Sequence, residues 1–170
     1  MNNSIVIRAM QVADGAIYKR VRLSALQESP SSFGSTFAEE SKFGDQVWEE
    51  RAKGLTVPEA IGLLAFEGER VCGIVRGSPD EEDSRIGWVE SMWVDPRVRR
   101  RGVGQLLMQE LIEWGRGRKL SEMKLEVTST NSPAIRLYER CGFQATGRTV
   151  PYPNDSSLVE IEMLLKLDAM

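Results

Sequence analysis

The sequence predicts a mixed α/β domain of the α+β type, with residues 1–170 forming one unit. Three observations carry this. Strand-like alternation recurs in several short stretches, helical spacing dominates others, and their order is strand, helices, several antiparallel strands, helix, strand, helix, two strands. At 170 residues the chain has single-domain length and can bury roughly two thirds of the surface its unfolded form would expose.

The opening "NSIVIRAM" alternates as a first strand. Asp14 then precedes a helical pattern of Ile17, Val21, Leu23 and Leu26. Turn chemistry at Pro30, Ser31, Ser32 and Gly34 is followed by a broken helix from Phe37 to Lys53, with Trp48 on its apolar side. "AIGLLAFEGERVCGIVRGS" reads as a hairpin turning at "EGER". The acidic "SPDEEDSR" has nothing to bury and reads as a solvated loop before a strand from Ile86 to Val94. From Val103 the apolar positions 103, 106, 107, 111 and 112 keep helical spacing until Gly115 and Gly117. "EMKLEVTS" alternates as a strand, and "NSPAIRLYERCG" predicts a helix with Ser132 as N-cap, Pro133 first inside and Gly142 as the stop. Two closing strands, around Phe143–Val150 and Leu158–Leu167, flank the loop "PYPNDSS".

Composition narrows the chemistry. The chain has no histidine, so any acid–base work falls to carboxylates, Tyr, Lys or Cys. Cys72 and Cys141 form no CxxC pair, which suggests neither a disulfide framework nor a metal site; each is read as a small buried apolar residue. A net charge of −3 argues against a nucleic-acid binder. No apolar run approaches the roughly 20 residues of a membrane span, and no signal-like leader is seen, so a cytoplasmic protein without membrane contact is expected.

One segment stands out, "VDPRVRRRGVGQLL". It runs from the end of a strand into the start of a helix, where unpaired N–H groups and the helix dipole favour an anion, and Gly102 and Gly104 allow a ligand close to the backbone. The letters fit neither GxxxxGK[ST] nor GxGxxG, since Leu107 stands where the third glycine would be. Arg97, earliest in the loop, is expected to be a solvated charge.

"RRRGVG" fits the [QR]-x-x-G-x-[GA] signature of the GNAT superfamily of acetyl-CoA-dependent N-acetyltransferases, with Arg99, Gly102 and Gly104 at its fixed positions. The resemblance extends through "VESMWVDP", "LEVTSTNSPAIRLYERCGF" and "EIEMLLKL", covers most of residues 60–167, and weakens before that. It implies a mostly antiparallel sheet of about six to seven strands, splayed at the fourth and flanked by about four helices. It further implies acetyl-CoA as acyl donor, without a metal. The pantetheine would lie along the backbone of Met92, Trp93 and Val94, and the pyrophosphate within the loop of Arg100, Arg101, Gly102, Val103, Gly104 and Gln105, with Arg99, the first signature position, also at the cofactor site. Asn131 matches a later cofactor contact, and Tyr138 the tyrosine near the thioester sulfur. A base carboxylate stands at the position of Glu90 in some relatives and of Glu126 in others. Homodimers are common in the family, although no feature of this sequence demonstrates one.

The residues carry their own chemistry. An amine of pKa about 10.4 is neutral only about once in a few thousand molecules at pH 7, a gap of about 4 to 5 kcal/mol. A carboxylate of pKa about 4.3 cannot hold that proton outright, so Glu90 or Glu126 would relay it through water while attracting the cation. N–H groups around Met92–Val94 would meet the developing oxyanion. A thiolate whose thiol has pKa about 8.5 leaves tolerably without protonation, so Tyr138 should assist without being indispensable.

Plainer readings stand beside these. Ala134, Leu137, Tyr138 and Cys141 form one helical stripe, which makes Tyr138 a core-edge aromatic; Trp88 and Trp93 are read as core aromatics on one face; Glu90 could be an ion-paired carboxylate. The expected activity is acetyl transfer to a primary amine of a small molecule by direct attack in a ternary complex. The alternatives are a peptide or protein amine as acceptor, and an acyl-CoA-binding module without turnover. Phe33, Phe37, Trp48 and Tyr152 are candidates for an aromatic acceptor wall, and Glu39, Glu40 and Asp155 for attracting a cation, all equally explained by packing or solvation.

Overall fold

The computed structural model describes residues 4–168. Seven strands, β1 (Ile5–Ala9), β2 (Ile61–Glu67), β3 (Arg70–Pro79), β4 (Ile86–Val94), β5 (Glu122–Thr128), β6 (Gln144–Pro151) and β7 (Val159–Lys166), form one sheet in the order β1-β2-β3-β4-β5-β7-β6. All neighbours are antiparallel except β4 and β5. The helices are α1 (Gly15–Glu28), α2 (Phe37–Glu40), α3 (Asp45–Gly54), α4 (Val103–Gly117) and α5 (Ser132–Arg140). The broken helix expected over 37–53 is thus α2 and α3. Of the first-strand stretch, Asn3 lies outside the described residues.

Alternation decides which face each strand buries. Met123, Leu125 and Val127 of β5 and Met163 of β7 join Val103, Leu107, Met108 and Leu111 of α4 in one core, with Tyr138 of α5 at its margin. Tyr18, Val21 and Leu26 of α1 and Trp48 of α3 form a second core with Leu64, Ile74 and Trp93 on the opposite face. Trp48 is fully buried and meets Tyr18 edge-on at 5.5 Å between ring centroids.

Two irregularities in β4 shape the centre of the sheet. The strand pairs with β5 only through Ile86, Gly87 and Trp88; beyond them the two strands diverge, leaving the β5-facing edge of β4 without a partner strand. Ser91 adopts φ 57 where the register with β3 shifts, so one extra residue is inserted. This bulge inverts the alternation. Val89 and Met92 both face the α4 core, while Trp93 faces the α1 core. Residues five apart normally point to opposite faces of a strand, so the bulge is what allows Trp88 and Trp93 to share one. Ser91 is held by Arg22 of α1, whose Nη1 donates to its Oγ at 3.0 Å while Nε and Nη2 grip Glu40 at 3.1 and 3.0 Å.

Two local expectations need correction. Asn131, not Ser132, is the N-cap of α5: its side chain accepts from the Ala134 N–H at 3.3 Å, and Ser132 is the first helical residue. An Asx side chain satisfies the orphan N–H from one position earlier than the serine could. Cys72 is buried, but Cys141 at the end of α5 is only half-buried.

Candidate active site

The divergence of β4 from β5 opens a cleft of about 1690 Å³ that passes through the sheet. On the α4 face its wall begins at Gly102, the N-cap of α4, with φ 80 and, its chain neighbours aside, no heavy atom of the described residues within 4 Å of where a Cβ would stand. That φ lies in the left-handed region that favours glycine, and the space beside it is open. Among the described residues no side chain caps the N-terminus of α4, so its first N–H groups are available to a ligand. Gly104 sits against Leu137 and Met92, which an added Cβ would approach to 3.0 and 3.1 Å. This close contact joins the start of α4 to α5 and β4.

The four arginines of the loop separate clearly. Arg97 pairs with Asp95 at 2.7 Å, and Arg101 turns to Glu67 at 2.6 Å. Arg99 donates from Nε to the Val94 carbonyl at 2.9 Å and from Nη2 to Glu28 at 2.6 Å. Glu28 also accepts from the Trp93 indole N–H at 2.9 Å. Burial would raise the Glu28 carboxyl, but its bonds from Arg99, Ser29 and Trp93 outweigh that and hold it below the ordinary carboxylate range. Arg99 therefore fastens the end of β4 to the end of α1. Arg100, at φ 65, lines the cleft and has no carboxylate partner among the described residues.

Of the residues singled out in the sequence, Glu90, Met92, Trp93, Val94, Arg99, Arg100, Gly102, Val103, Gly104, Gln105, Glu126, Asn131 and Tyr138 all line this cleft; Arg101 does not. Tyr138 is buried against Phe143, with ring centroids 6.2 Å apart, and burial pushes its phenol well above the ordinary value. It stays protonated at any physiological pH.

On the α1 face the walls are different. Glu90 is paired with Arg76 at 2.9 Å, and Arg76 in turn donates to the Tyr18 hydroxyl at 3.1 Å. Glu126 of β5 and Glu160 of β7 lie on the polar sides of their strands, since Leu125 and Val127, and Ile161 and Met163, take the other face. Burial first, then the neighbouring Glu126 carboxylate and a hydrogen bond with it, push the Glu160 carboxyl up to about 7. Asp80, Glu81 and Glu82, expected to be a merely solvated loop, also line the cleft. The segment 29–35 is laid across this mouth. The Thr128 hydroxyl donates to the Ser31 carbonyl at 2.8 Å, the Tyr152 hydroxyl to the carbonyls of Pro30 (3.0 Å) and Phe33, and Asn131 Nδ2 to Ser32 Oγ at 3.4 Å.

The expected acceptor wall is mostly elsewhere. Of Phe33, Phe37, Trp48 and Tyr152 only Phe33 lines the cleft. Glu39 closes the capping box of Thr36, Glu40 is buried between Arg22 and Arg51, and Asp155 bonds Ser157. Sequence reasoning missed Glu160 and the 80–82 loop. The alternation of "VEIEMLLK" was the available signal, but it does not say that β7 lies between β5 and β6.

The sequence model of the acetyltransferase (GNAT) family matches residues 23–143. Mycothiol acetyltransferase of Acidothermus cellulolyticus is 38% identical over 93 residues, 52% of this chain and 28% of that protein. The [ribosomal protein bS18]-alanine N-acetyltransferase of Salmonella typhimurium is 44% identical over 61 residues, 35% of this chain and 41% of that protein. The match thus spans less than half of either relative. YncA of Salmonella typhimurium, solved with its cofactor acetyl-CoA, superposes with a TM-score of 0.82 at 19% identity, covering 97% of this chain and 95% of that one. A seven-stranded sheet splayed between β4 and β5, a glycine-capped helix start facing the gap, and a family match over residues 23–143 agree: the chain belongs to the GNAT acetyltransferase family.

Proposed function

We propose that the protein transfers an acetyl group from acetyl-CoA to a primary amine of a small molecule, by direct attack of the amine within a ternary complex. The observation that carries this reading is the continuity of one cleft from the uncapped start of α4, past the unpaired edge of β4, to carboxylates on the opposite face. The donor side fits acetyl-CoA. The N–H groups of Val103, Gly104 and Gln105 and the Arg100 guanidinium suit a pyrophosphate, and the open edge of β4 at Met92–Val94 suits an extended amide-bearing arm. Bound there, acetyl-CoA supplies a thioester carbonyl with a thiolate leaving group.

The chain's own groups do the rest. N–H groups of β4 beside the Ser91 bulge, unpaired on the β5 side, are placed to stabilise an oxyanion. Tyr138, a phenol held neutral by burial, donates toward the departing sulfur. The carboxylates of the α1 face attract an ammonium and accept its proton; Glu90 is already neutralised by Arg76, which leaves the β5–β7 side of the mouth, with Glu126 and Glu160, for that role. The 29–35 segment, stapled to β5, to the N-cap of α5 and to the loop before β7, walls the acceptor mouth and favours a small amine over a peptide chain.

The test is release of free thiol from acetyl-CoA across a panel of small amines and N-terminal peptides. Turnover with small amines is the expected result. Strict preference for peptide N-termini overturns the acceptor class, and acetyl-CoA binding with no turnover on any amine overturns the transferase reading.

A further inference from the structure

Six carboxylates line the α1-face mouth, and only the Glu126–Glu160 pair combines two carboxylates from neighbouring strands with no arginine or lysine to neutralise either among the described residues. Thr128 is the direct partner of Glu160 across β5 and β7, so Glu126, two residues away, is its diagonal neighbour on the same face. The surrounding charges are otherwise occupied. Glu162, directly opposite Glu126, bonds the Thr146 hydroxyl at 3.1 Å and faces Arg148 of β6 at 3.6 Å; Lys124, next along that face of β5, is drawn to Glu122 at 3.7 Å. Two like charges held together without a counter-ion favour whatever brings a positive charge between them, either a proton or an ammonium group.

We propose that Glu160 is the base that takes the proton from the acceptor ammonium, with Glu126 as the positioning residue that holds it and keeps it basic. The assignment deepens the N-acetyltransferase reading and rests on it. In the step, R–NH3+ gives one proton to the Glu160 carboxylate, and the freed nitrogen lone pair forms the N–C bond at the thioester carbonyl. The C–S bond then breaks with its electron pair on sulfur. The second nitrogen proton is lost as the amide forms, and the thiolate recovers one proton by way of Tyr138 or water. Glu160 returns its proton to solvent, so the net products are amide, free thiol and one H+. A carboxyl poised at about 7 is half ionised at neutral pH and lies about 3 units below an alkylammonium, against about 6 for an ordinary glutamate. That is the match general-base catalysis requires.

The test compares the pH dependence of kcat/KM for wild type, Glu160→Gln, Glu126→Gln and Glu90→Gln, using the best amine of the panel. Expected are a wild-type limb near pH 7, loss of about 100-fold in Glu160→Gln at pH 8, and a Glu126→Gln enzyme that stays active with the limb displaced to lower pH. Glu90→Gln should keep the wild-type limb. A Glu160→Gln enzyme within threefold of an active wild type, with the limb unmoved, overturns the base and leaves the transferase intact. A wild type that releases no thiol with any amine overturns the transferase and the base with it. Carboxyl NMR titration of the wild type reads the pair without turnover: a Glu160 signal titrating in the ordinary glutamate range, unmoved by Glu126→Gln, also overturns the proposal.

Discussion

The two mouths of the cleft are built in opposite ways. On the α4 face the work falls to backbone: a loop contiguous from Arg99 to Gln105, a glycine at φ 80 and the uncapped start of a 15-residue helix. Three of the four arginines in or before that loop are held by Asp95, Glu28 and Glu67, so of these four only Arg100 adds side-chain charge to that of the N–H groups. On the α1 face the work falls to side chains gathered from the 80–82 loop, β4, β5 and β7. A backbone site tolerates change in its side chains and fails when its φ angles or open space are lost. A side-chain site should respond to single isosteric substitutions.

The largest effect should come from attacking the backbone mouth at its glycine. Gly102→Trp places an indole where nothing now lies within 4 Å and should raise the acetyl-CoA Kd about 100-fold, or about 2.7 kcal/mol, by calorimetry. Gly102→Asn, which tolerates left-handed φ, should retain most of the affinity. Equal losses in both would assign the effect to strain and not to a filled cradle. Next in size is the junction between the mouths: Tyr138→Phe keeps the ring packed on Phe143, removes the donor, and should lower kcat about 10- to 100-fold. An unchanged kcat, with chemistry shown to limit the rate, removes Tyr138 from the mechanism.

The same contrast explains what could be read from the sequence. The α4-face mouth lies within one short stretch, so the spacing from Arg99 to Gly102 and Gly104 exposed it, and the strand Ile86–Val94 and helix Val103–Gly117 have the expected bounds. The α1-face mouth depends on which strands become neighbours. Nothing local in "VEIEMLLK" places Glu160 diagonal to Glu126, because that follows from β7 entering the sheet between β5 and β6. Aromatic and acidic residues of the 33–48 segment looked available for an acceptor because composition cannot tell a cleft wall from a core. Trp48 and Glu40 proved to be core.

Smaller effects separate the arginines. Arg100→Ala removes the guanidinium that has no carboxylate partner among the described residues, and should weaken acetyl-CoA binding about tenfold at low salt, with less loss at high salt. Arg97→Ala, whose partner is Asp95, should leave Kd within about twofold. If the two variants lose equally and in parallel with salt, the loop acts as a diffuse basic patch and the backbone account of that mouth fails.

The smallest effect is on stability, and it distinguishes the carboxylates by sign. Asp14, Glu28, Glu40 and Asp95 are held below their ordinary values, so the stability they contribute is present above about pH 4.5 and is lost as pH falls through their depressed values. Glu160 behaves in reverse. Its folded value of about 7 lies above the ordinary 4.5, so between those limits the unfolded chain ionises before the folded one, and stability falls as pH rises. Glu160→Gln removes that cost. Because the side chain is only half-buried, screening reduces the effect to about 1 kcal/mol, or about 2 to 4 °C in Tm for a domain of this size. Thermal unfolding should therefore show Glu160→Gln more stable than wild type at pH 8 and equal to it at pH 4, where both side chains are uncharged. A gain of the same size at both values would mean that the substitution improves packing, and that the Glu126–Glu160 pair is not held under like-charge tension.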